Sequence, residues 1–458
     1  MFCIISLKSL DRAYILCLCI LKIKAKERCA GALFKADVLT RPPGPLKFNG
    51  VLNMNMSNLG KNILKLRKKQ GLTQAELARR LNISDKAVSK WENGGGYPEI
   101  TLLPALSKIF GVSVDYLLKG NPRGIAVAGS ITADIVNIID RYPEKNMLAN
   151  ILSTVYAVGG CVPNTIINLA RLEPELSLSA YGRVGEDEQG RYVLSCMRKY
   201  GINTEGIVRS KELNTSCSHV MSERDTGERT FFFVNGANSQ FCIEDIALDS
   251  LDCEIFHIGY LLLLDRLDEK DAQYGSNMAR LLCGLRERGI KTSIDVISRA
   301  GADFKSIIPA LKYCDYAVMN EIESCGAAGL NPRKADGELN LQSIKNALSI
   351  LMEHGIKQKA IIHCSEAGFM MNADGSFLAV PSLLLPAGFI KGSVGAGDAY
   401  AAGCLYGLYN NYDDRRILEF ASCAAACCLS ESDSVSGMRP REEVERLNSI
   451  YPRRRLEI

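Results

Sequence analysis

Tryptophan and histidine are the scarcest side chains in this 458-residue chain: one Trp, Trp91, and four His, at His219, His257, His354 and His363. The histidines lie far apart and none of the 17 cysteines forms a Cys-x-x-Cys pair, so the sequence offers no ligand set for structural zinc. The cysteines are scattered singly through apolar stretches, as at Cys423, Cys427 and Cys428, the pattern of buried reduced thiols in a cytoplasmic protein rather than of a secreted disulfide framework. Long apolar runs are missing as well. Ala13 to Leu21 falls far short of the roughly 20 residues needed to span a bilayer, and no small-residue cleavage site follows it directly. No membrane partner is therefore expected. Two nucleotide signatures are also absent. Without a Gly-x-x-x-x-Gly-Lys-Ser/Thr loop a P-loop kinase is excluded, and without Gly-x-Gly-x-x-Gly after a first strand a dinucleotide-dependent oxidoreductase is disfavoured.

What is present is an ordinary globular composition, 47% hydrophobic and 23% charged with a net charge of +4, at a length that predicts two folded units. Bases outnumber acids over residues 1–120, and acids outnumber bases over 121–458. A basic front on an acidic body predicts that only the front meets a polyanion. Residues 1–56 show no clear pattern and are read as a poorly ordered extension, with Met54 or Met56 as candidate true starts.

From Leu59 the pattern turns helical, with Leu59, Ile63, Leu64 and Leu66 beside Lys61, Lys65, Arg67, Lys68 and Lys69. Gly71 ends this helix. Thr73-Gln-Ala-Glu76 forms a capping box that opens a second helix, and Ser84 caps a third through Lys86, Val88, Ser89, Lys90 and Trp91. Two further helices are predicted, Ile100 to Phe110 and Val114 to Leu118. Two short helices joined by a tight turn, with basic residues on the second, predict a helix-turn-helix over 57–120.

After the Gly120 to Gly124 linker, β-rich runs alternate with helical segments through residue 458. Strands are predicted at Ile125 to Ala128, Ile255 to Ile258, Thr292 to Val296, Tyr316 to Met319 and Ala360 to His363. Helices are predicted at Asn164 to Ala170, Asp271 to Arg288, Leu341 to His354, Gly397 to Tyr409 and Arg415 to Leu429. This alternation argues for a parallel sheet with helices on both faces. Thr230 to Val234, after the turn Asp225 to Glu228, reads instead as a β-hairpin, either a lid that excludes water or an edge with a packing or dimer role. Near the C-terminus, Gly392-Ser-Val-Gly-Ala-Gly-Asp398 leads into a helix of small residues. Free N–H groups at a helix N-terminus can hold developing phosphoryl charge, and Asp398 is placed to take a proton.

These elements carry two resemblances. Leu72-Thr-Gln-Ala-Glu-Leu-Ala78, Val88-Ser-Lys-Trp-Glu92, Gly94 and Pro98 resemble the Cro/repressor-type (XRE) helix-turn-helix. That resemblance implies a double-stranded DNA operator, with Gln74 on a phosphate, with Asp85, Lys86, Ser89 and Lys90 facing the major groove, and with Leu77, Ala78, Val88 and Trp91 as core. Such domains read paired half-sites, so a homodimer is expected. Residues from about Gly124 to Leu447 resemble a ribokinase-like (PfkB) carbohydrate kinase through Gly129 to Asp134, Gly159-Gly160 with Asn164, Gly182 to Gly190, Asn320-Glu-Ile-Glu323 and the closing glycine turn. The fold implied is a doubly wound, mostly parallel α/β sheet with a small β lid, preceded by the all-α helix-turn-helix domain. The activity implied is transfer of the ATP γ-phosphoryl group to a sugar or nucleoside hydroxyl. Asp398 would be the base, with backbone N–H groups of Gly395, Ala396 and Gly397 as the anion hole. Asp134, Gly159, Gly160 and Asn164 would bind the acceptor. Asn320, Glu323 and Gly368 would lie on the nucleotide side, and magnesium would be held by Glu323 and Asn320 mostly through water.

Three departures stand against this pattern. The signature begins Gly392-Ser393 where the family carries Asp-Thr, which puts a monovalent-cation site in doubt. The nucleotide segment His363-Cys-Ser-Glu-Ala-Gly368 keeps only its last glycine. Cys161-Val-Pro163 is bulky beside the acceptor residues. A regulator whose kinase-like domain only senses a sugar or nucleoside is therefore the alternative.

Overall fold

The structure is a computed structural model that describes residues 53–456 apart from 113, 120–123, 227 and 300. The expected extension, except its last four residues, and the linker at 120–123 lie outside the described residues. The chain divides by packing into two compact units between Leu106 and Ser107, inside a helix and upstream of the boundary expected at 120.

The segment before residue 120 contains α1 (Asn53–Lys69), α2 (Gln74–Leu81), α3 (Asp85–Glu92), α4 (Leu103–Phe110) and α5 (Val114–Lys119), with a 3-10 turn at Ile100–Leu102 where the sequence predicted one continuous helix. Thr73 and Glu76 form the expected capping box, and Ser84 accepts from the Ala87 N–H to start α3. Leu77, Ala78, Val88 and Trp91 are all buried. Beneath the turn, Arg67 donates to both carboxylate oxygens of Glu92 at 2.6 and 2.9 Å and to the Leu72 carbonyl at 2.7 Å.

The remainder runs β1 (Gly124–Gly129), β2 (Thr132–Ile139), β3 (Ile151–Gly159), α6 (Cys161–Leu172), β4 (Leu178–Gly185), α7 (Glu188–Lys199), β5 (Ile207–Ser210), β6 (Ser216–Glu223), β7 (Arg229–Val234), β8 (Cys253–Leu261) and α8 (Asp265–Asp268). It continues with α9 (Asn277–Glu287), β9 (Lys291–Val296), α10 (Ile308–Leu311), β10 (Tyr316–Asn320), α11 (Glu321–Ala328), α12 (Leu341–Glu353), β11 (Lys359–His363), β12 (Ala367–Asn372), β13 (Phe377–Pro381), α13 (Ala396–Tyr409), α14 (Asp414–Leu429) and α15 (Arg441–Ile450). The main sheet has the order β13-β12-β11-β10-β9-β8-β1-β4-β5. It is parallel from β5 to β11 and antiparallel at β12 and β13. Strand β1 shows why the sheet must be covered on both sides: Ile125 and Val127 belong to one core with α6, α13 and α14, while Ala126 and Ala128 belong to the other with α9 and α12.

A second sheet, β3-β2-β6-β7, contains the expected hairpin as the antiparallel pair β6/β7. The helix predicted from Asp271 starts only at Asn277. Asp271 instead accepts the N–H groups of Gln273 and Tyr274 in a turn, and Ser276 caps the helix.

Candidate active site

Strand β1 is flanked by β4 on one side and β8 on the other, so chain order reverses there, and the C-terminal ends of β1 and β8 are where such a sheet is expected to form its ligand crevice. Helix α13 brings the glycine turn to this crevice. Gly395 is its N-cap at φ 76°, and a β-carbon there would lie 2.3 Å from the Ser434 β-carbon. Only glycine meets both conditions.

Asp398, in the first turn of α13, is 3% exposed. Its Oδ2 accepts from Asn164 Nδ2 at 2.8 Å and from the Tyr260 hydroxyl at 3.0 Å, while its buried Oδ1 has no hydrogen-bond partner. Asn164 is fixed in turn by Ser434, whose hydroxyl donates to Asn164 Oδ1 at 2.7 Å. Burial, then the neighbouring charge of Asp295, pushes the Asp398 carboxyl up to about 7, although both hydrogen bonds favour the carboxylate. A carboxyl that titrates near neutrality suits proton transfer at neutral pH.

The expected anion hole is only partly free. The Ala396 N–H bends back to the Ser393 carbonyl at 3.3 Å, because the chain tightens into a turn before the helix begins. A β-carbon at Gly392 would lie 3.0 Å from Ser432 Cα, so the packing here matches the missing acid.

Asp134 lies inside β2 rather than in a turn or helix cap, opposite Ala157 of β3. Burial pushes its carboxyl up to about 6. A β-carbon at Gly159 would lie 2.4 Å from Asp134 Oδ1, so this glycine makes room for the carboxylate. Gly160 caps α6 at φ 81°.

Asn320 and Glu323 are joined more closely than a pair of free ligands. Asn320 is the N-cap of α11, its Oδ1 accepting the N–H groups of Ile322 and Glu323, while Glu323 Oε2 accepts the Asn320 N–H. Glu323 Oε1 also accepts from Ser298 and from Asn320 Nδ2. Burial pushes the Glu323 carboxyl up to about 8, a cost that a nearby cation would offset. Hard oxygen of this kind fits magnesium bound chiefly through water and phosphate, and among the described residues no group of three or more acidic, His or Cys side chains forms a closed metal site. Gly368 sits in β12 facing Tyr400, where a β-carbon would lie 2.0 Å from the tyrosine hydroxyl; its visible role is close packing. His363 stacks on Tyr400 with ring centroids 4.8 Å apart, and burial lowers its pKa to about 4.

Three residues at the site were not singled out from sequence: Tyr260, Asp295 and Ser434. Asp295 accepts the Tyr260 N–H at 2.7 Å. Both residues lie at the C-terminal ends of β8 and β9, and that position was the available signal. Ser434 lies in a loop that nothing in the sequence marked.

In the helix-turn-helix, Asp85, Lys86 and Lys90 are exposed and Ser89 is half-buried. Gln74, the expected phosphate contact, opens α2, and its amide donates to Glu92 Oε2 at 2.7 Å.

Among the described residues no helix is long and apolar enough to cross a membrane. A family model described as pfkB family carbohydrate kinase matches residues 123–440, and a helix-turn-helix model matches 63–117. A ribokinase of Arabidopsis thaliana is 23% identical over 355 residues, covering 75% of this chain and 88% of its own length. An HTH-type transcriptional activator of Enterococcus faecalis is 49% identical over 55 residues, which is 12% of this chain and 27% of that protein. The solved structure of Arabidopsis thaliana ribokinase complexed with ribose and ATP superposes with a TM-score of 0.58 at 19% identity, covering 71% of this chain and 99% of that one; at that identity the match speaks to the fold.

Proposed function

The chain belongs to the pfkB family of carbohydrate kinases, and from that membership we propose that it transfers the γ-phosphoryl group of ATP to a hydroxyl of a sugar or nucleoside, with Asp398 as general base. The observation that carries this reading is the Asp398 carboxyl itself: buried at a helix N-terminus, titrating at about 7, and with one oxygen unpartnered. The acceptor hydroxyl would give its proton to Asp398 as it attacks. Asp134, with room made by Gly159, would accept bonds from other acceptor hydroxyls. The N–H groups of Gly395 and Gly397 would face the phosphoryl group, and the dipole of α13 would favour its negative charge. Glu323 and Asn320 would hold magnesium through its waters; the ion would neutralise phosphate charge. The second sheet would act as the lid that excludes water.

A pure sensor has no need of a base, and the retained Asp398 favours catalysis over that alternative. ADP release with ATP, magnesium and a panel of sugars and nucleosides discriminates the two. The expected outcome is turnover with at least one acceptor, abolished in Asp398→Asn, with the variant no less stable than the parent at pH 8. The sign follows from linkage: the unfolded carboxyl titrates near 3.9 and the folded one at about 7, so stability contributed by the protonated form is lost as pH rises between those values, and the amide carries no such loss. Undiminished turnover in Asp398→Asn refutes the assignment.

The helix-turn-helix extends the reading to transcription: Lys86 and Lys90 would meet DNA, and acceptor binding would change operator affinity. Pairing of two copies would bring two reading helices to one operator. Val155, Phe231 and Phe233 on one face of the second sheet and Tyr156 and Phe232 on the other are exposed, and these exposed apolar residues support a homodimer. Coupling between sites is reciprocal, so operator affinity measured with and without acceptor tests it; equal affinities refute it.

A further inference from the structure

Tyr260 is the last-but-one residue of β8, and its backbone is left-handed at φ 61°. A bulky aromatic residue holds that conformation only where its surroundings enforce it. Here Asp295 does so, accepting the Tyr260 N–H at 2.7 Å. The consequence is that the phenol reaches across the crevice to Asp398 Oδ2 at 3.0 Å, on the same oxygen that Asn164 holds at 2.8 Å. Oδ1 is left buried and without a partner.

We propose that Tyr260 is a positioning residue for phosphoryl transfer: with Asn164 it pins Asp398 Oδ2, so that Oδ1 alone faces the acceptor and takes its proton. This inference rests on the reading of Asp398 as general base. Two donors on Oδ2 lower the basicity of that oxygen and leave the lone pairs of Oδ1 as the open site. In the step itself, the acceptor O–H bond breaks, its proton passes to Oδ1, and the acceptor oxygen bonds to phosphorus as ADP leaves. The phenol remains a donor throughout, since burial raises its pKa well above the ordinary tyrosine value. Other titratable groups around Asp398 are Asp134 on β2, Cys161 on α6, Asp295 on β9 and Cys428 on α14. None of these donates a hydrogen bond to Oδ2.

Tyr260→Phe removes one oxygen and keeps the ring. Loss of a bond that favours the carboxylate raises the pKa of Asp398, so the acidic limb of kcat moves to higher pH by roughly one unit. Turnover then falls about tenfold at pH 6 and less than about twofold at pH 9, with the melting temperature held near that of the parent. A merely structural role would lower turnover equally at every pH. If the limb of Tyr260→Phe superimposes on that of the parent while Asp398→Asn is inactive, this inference fails and the kinase reading stands. If Asp398→Asn remains active, both fail. A readout independent of turnover is the carboxyl 13C resonance of Asp398, identified by its absence from Asp398→Asn in aspartate-labelled protein. Its titration midpoint should rise in Tyr260→Phe, and an unmoved midpoint overturns the proposal.

Discussion

Replacing Gly395 by alanine tests the geometry of the phosphoryl-binding turn directly. Two costs are separable. A left-handed backbone at φ 76° costs an L-residue about 1–2 kcal/mol. The new methyl would lie 2.3 Å from the Ser434 β-carbon and 2.8 Å from its α-carbon, both well inside ordinary carbon contact, and overpacking of that kind costs about 1–3 kcal/mol. Together these predict a loss of roughly 2–5 kcal/mol, a large part of the stability of a typical domain. Urea unfolding followed by far-UV circular dichroism measures it as a midpoint shift at constant slope. The partner variant Ser434→Gly removes the nearest clashing atom, so in the double variant the Gly395→Ala cost should shrink by about 1 kcal/mol or more, as expected for residues in contact. The left-handed penalty and the α-carbon clash persist. Ser434 also donates to Asn164, which donates to Asp398, so turnover should fall in Gly395→Ala even below its melting temperature. If Gly395→Ala unfolds within about 0.5 kcal/mol of the parent, a difference typical of a neutral surface change, the packing argument is wrong.

Two further expectations concern the front unit. Glu92→Ala leaves the 8%-exposed Arg67 with the Leu72 carbonyl as its remaining hydrogen-bond acceptor among the described residues, and breaking a buried pair this way costs about 3–5 kcal/mol; hydrogen exchange should show lost protection across α1 to α3, and unchanged protection refutes the role of the pair. Changing Lys86 and Lys90 together to Glu should weaken binding to duplex DNA at low salt and reduce the dependence of log K on log salt by about one or two, measured by fluorescence anisotropy of labelled DNA; unaltered affinity would remove α3 from the interface.

The parallel sheet was legible because its strands are apolar runs between helical stretches, and the caps at Thr73 and Ser84 because their hydrogen bonds are local. The glycine turn was legible for the same reason: its dihedral requirement is written in one residue, Gly395. What escaped was set by contacts distant in sequence. Tyr260 and Ser434 reach the site from 138 and 270 positions away from Asp398 and Asn164 respectively, and neither carries a local pattern. Asn320 and Glu323 show the opposite difficulty, since a capping box and a magnesium-organising pair use the same residues at the same spacing. The bond from the Gln74 amide to the Glu92 carboxylate escaped for the same reason, since its partner lies 18 residues away.

Trp91 gives the chain a built-in optical label. It is the only indole among 458 residues, against 17 tyrosines, and it is 6% exposed. Its carbonyl lies so near α1 that a β-carbon at Gly60 would come within 2.0 Å of it. Light absorbed beyond the tyrosine band therefore excites α3 of the helix-turn-helix and nothing in the kinase fold. Titrating acceptor or ATP while watching that emission turns the question of communication between the two halves into a one-cuvette measurement, with no dye attached and no residue changed.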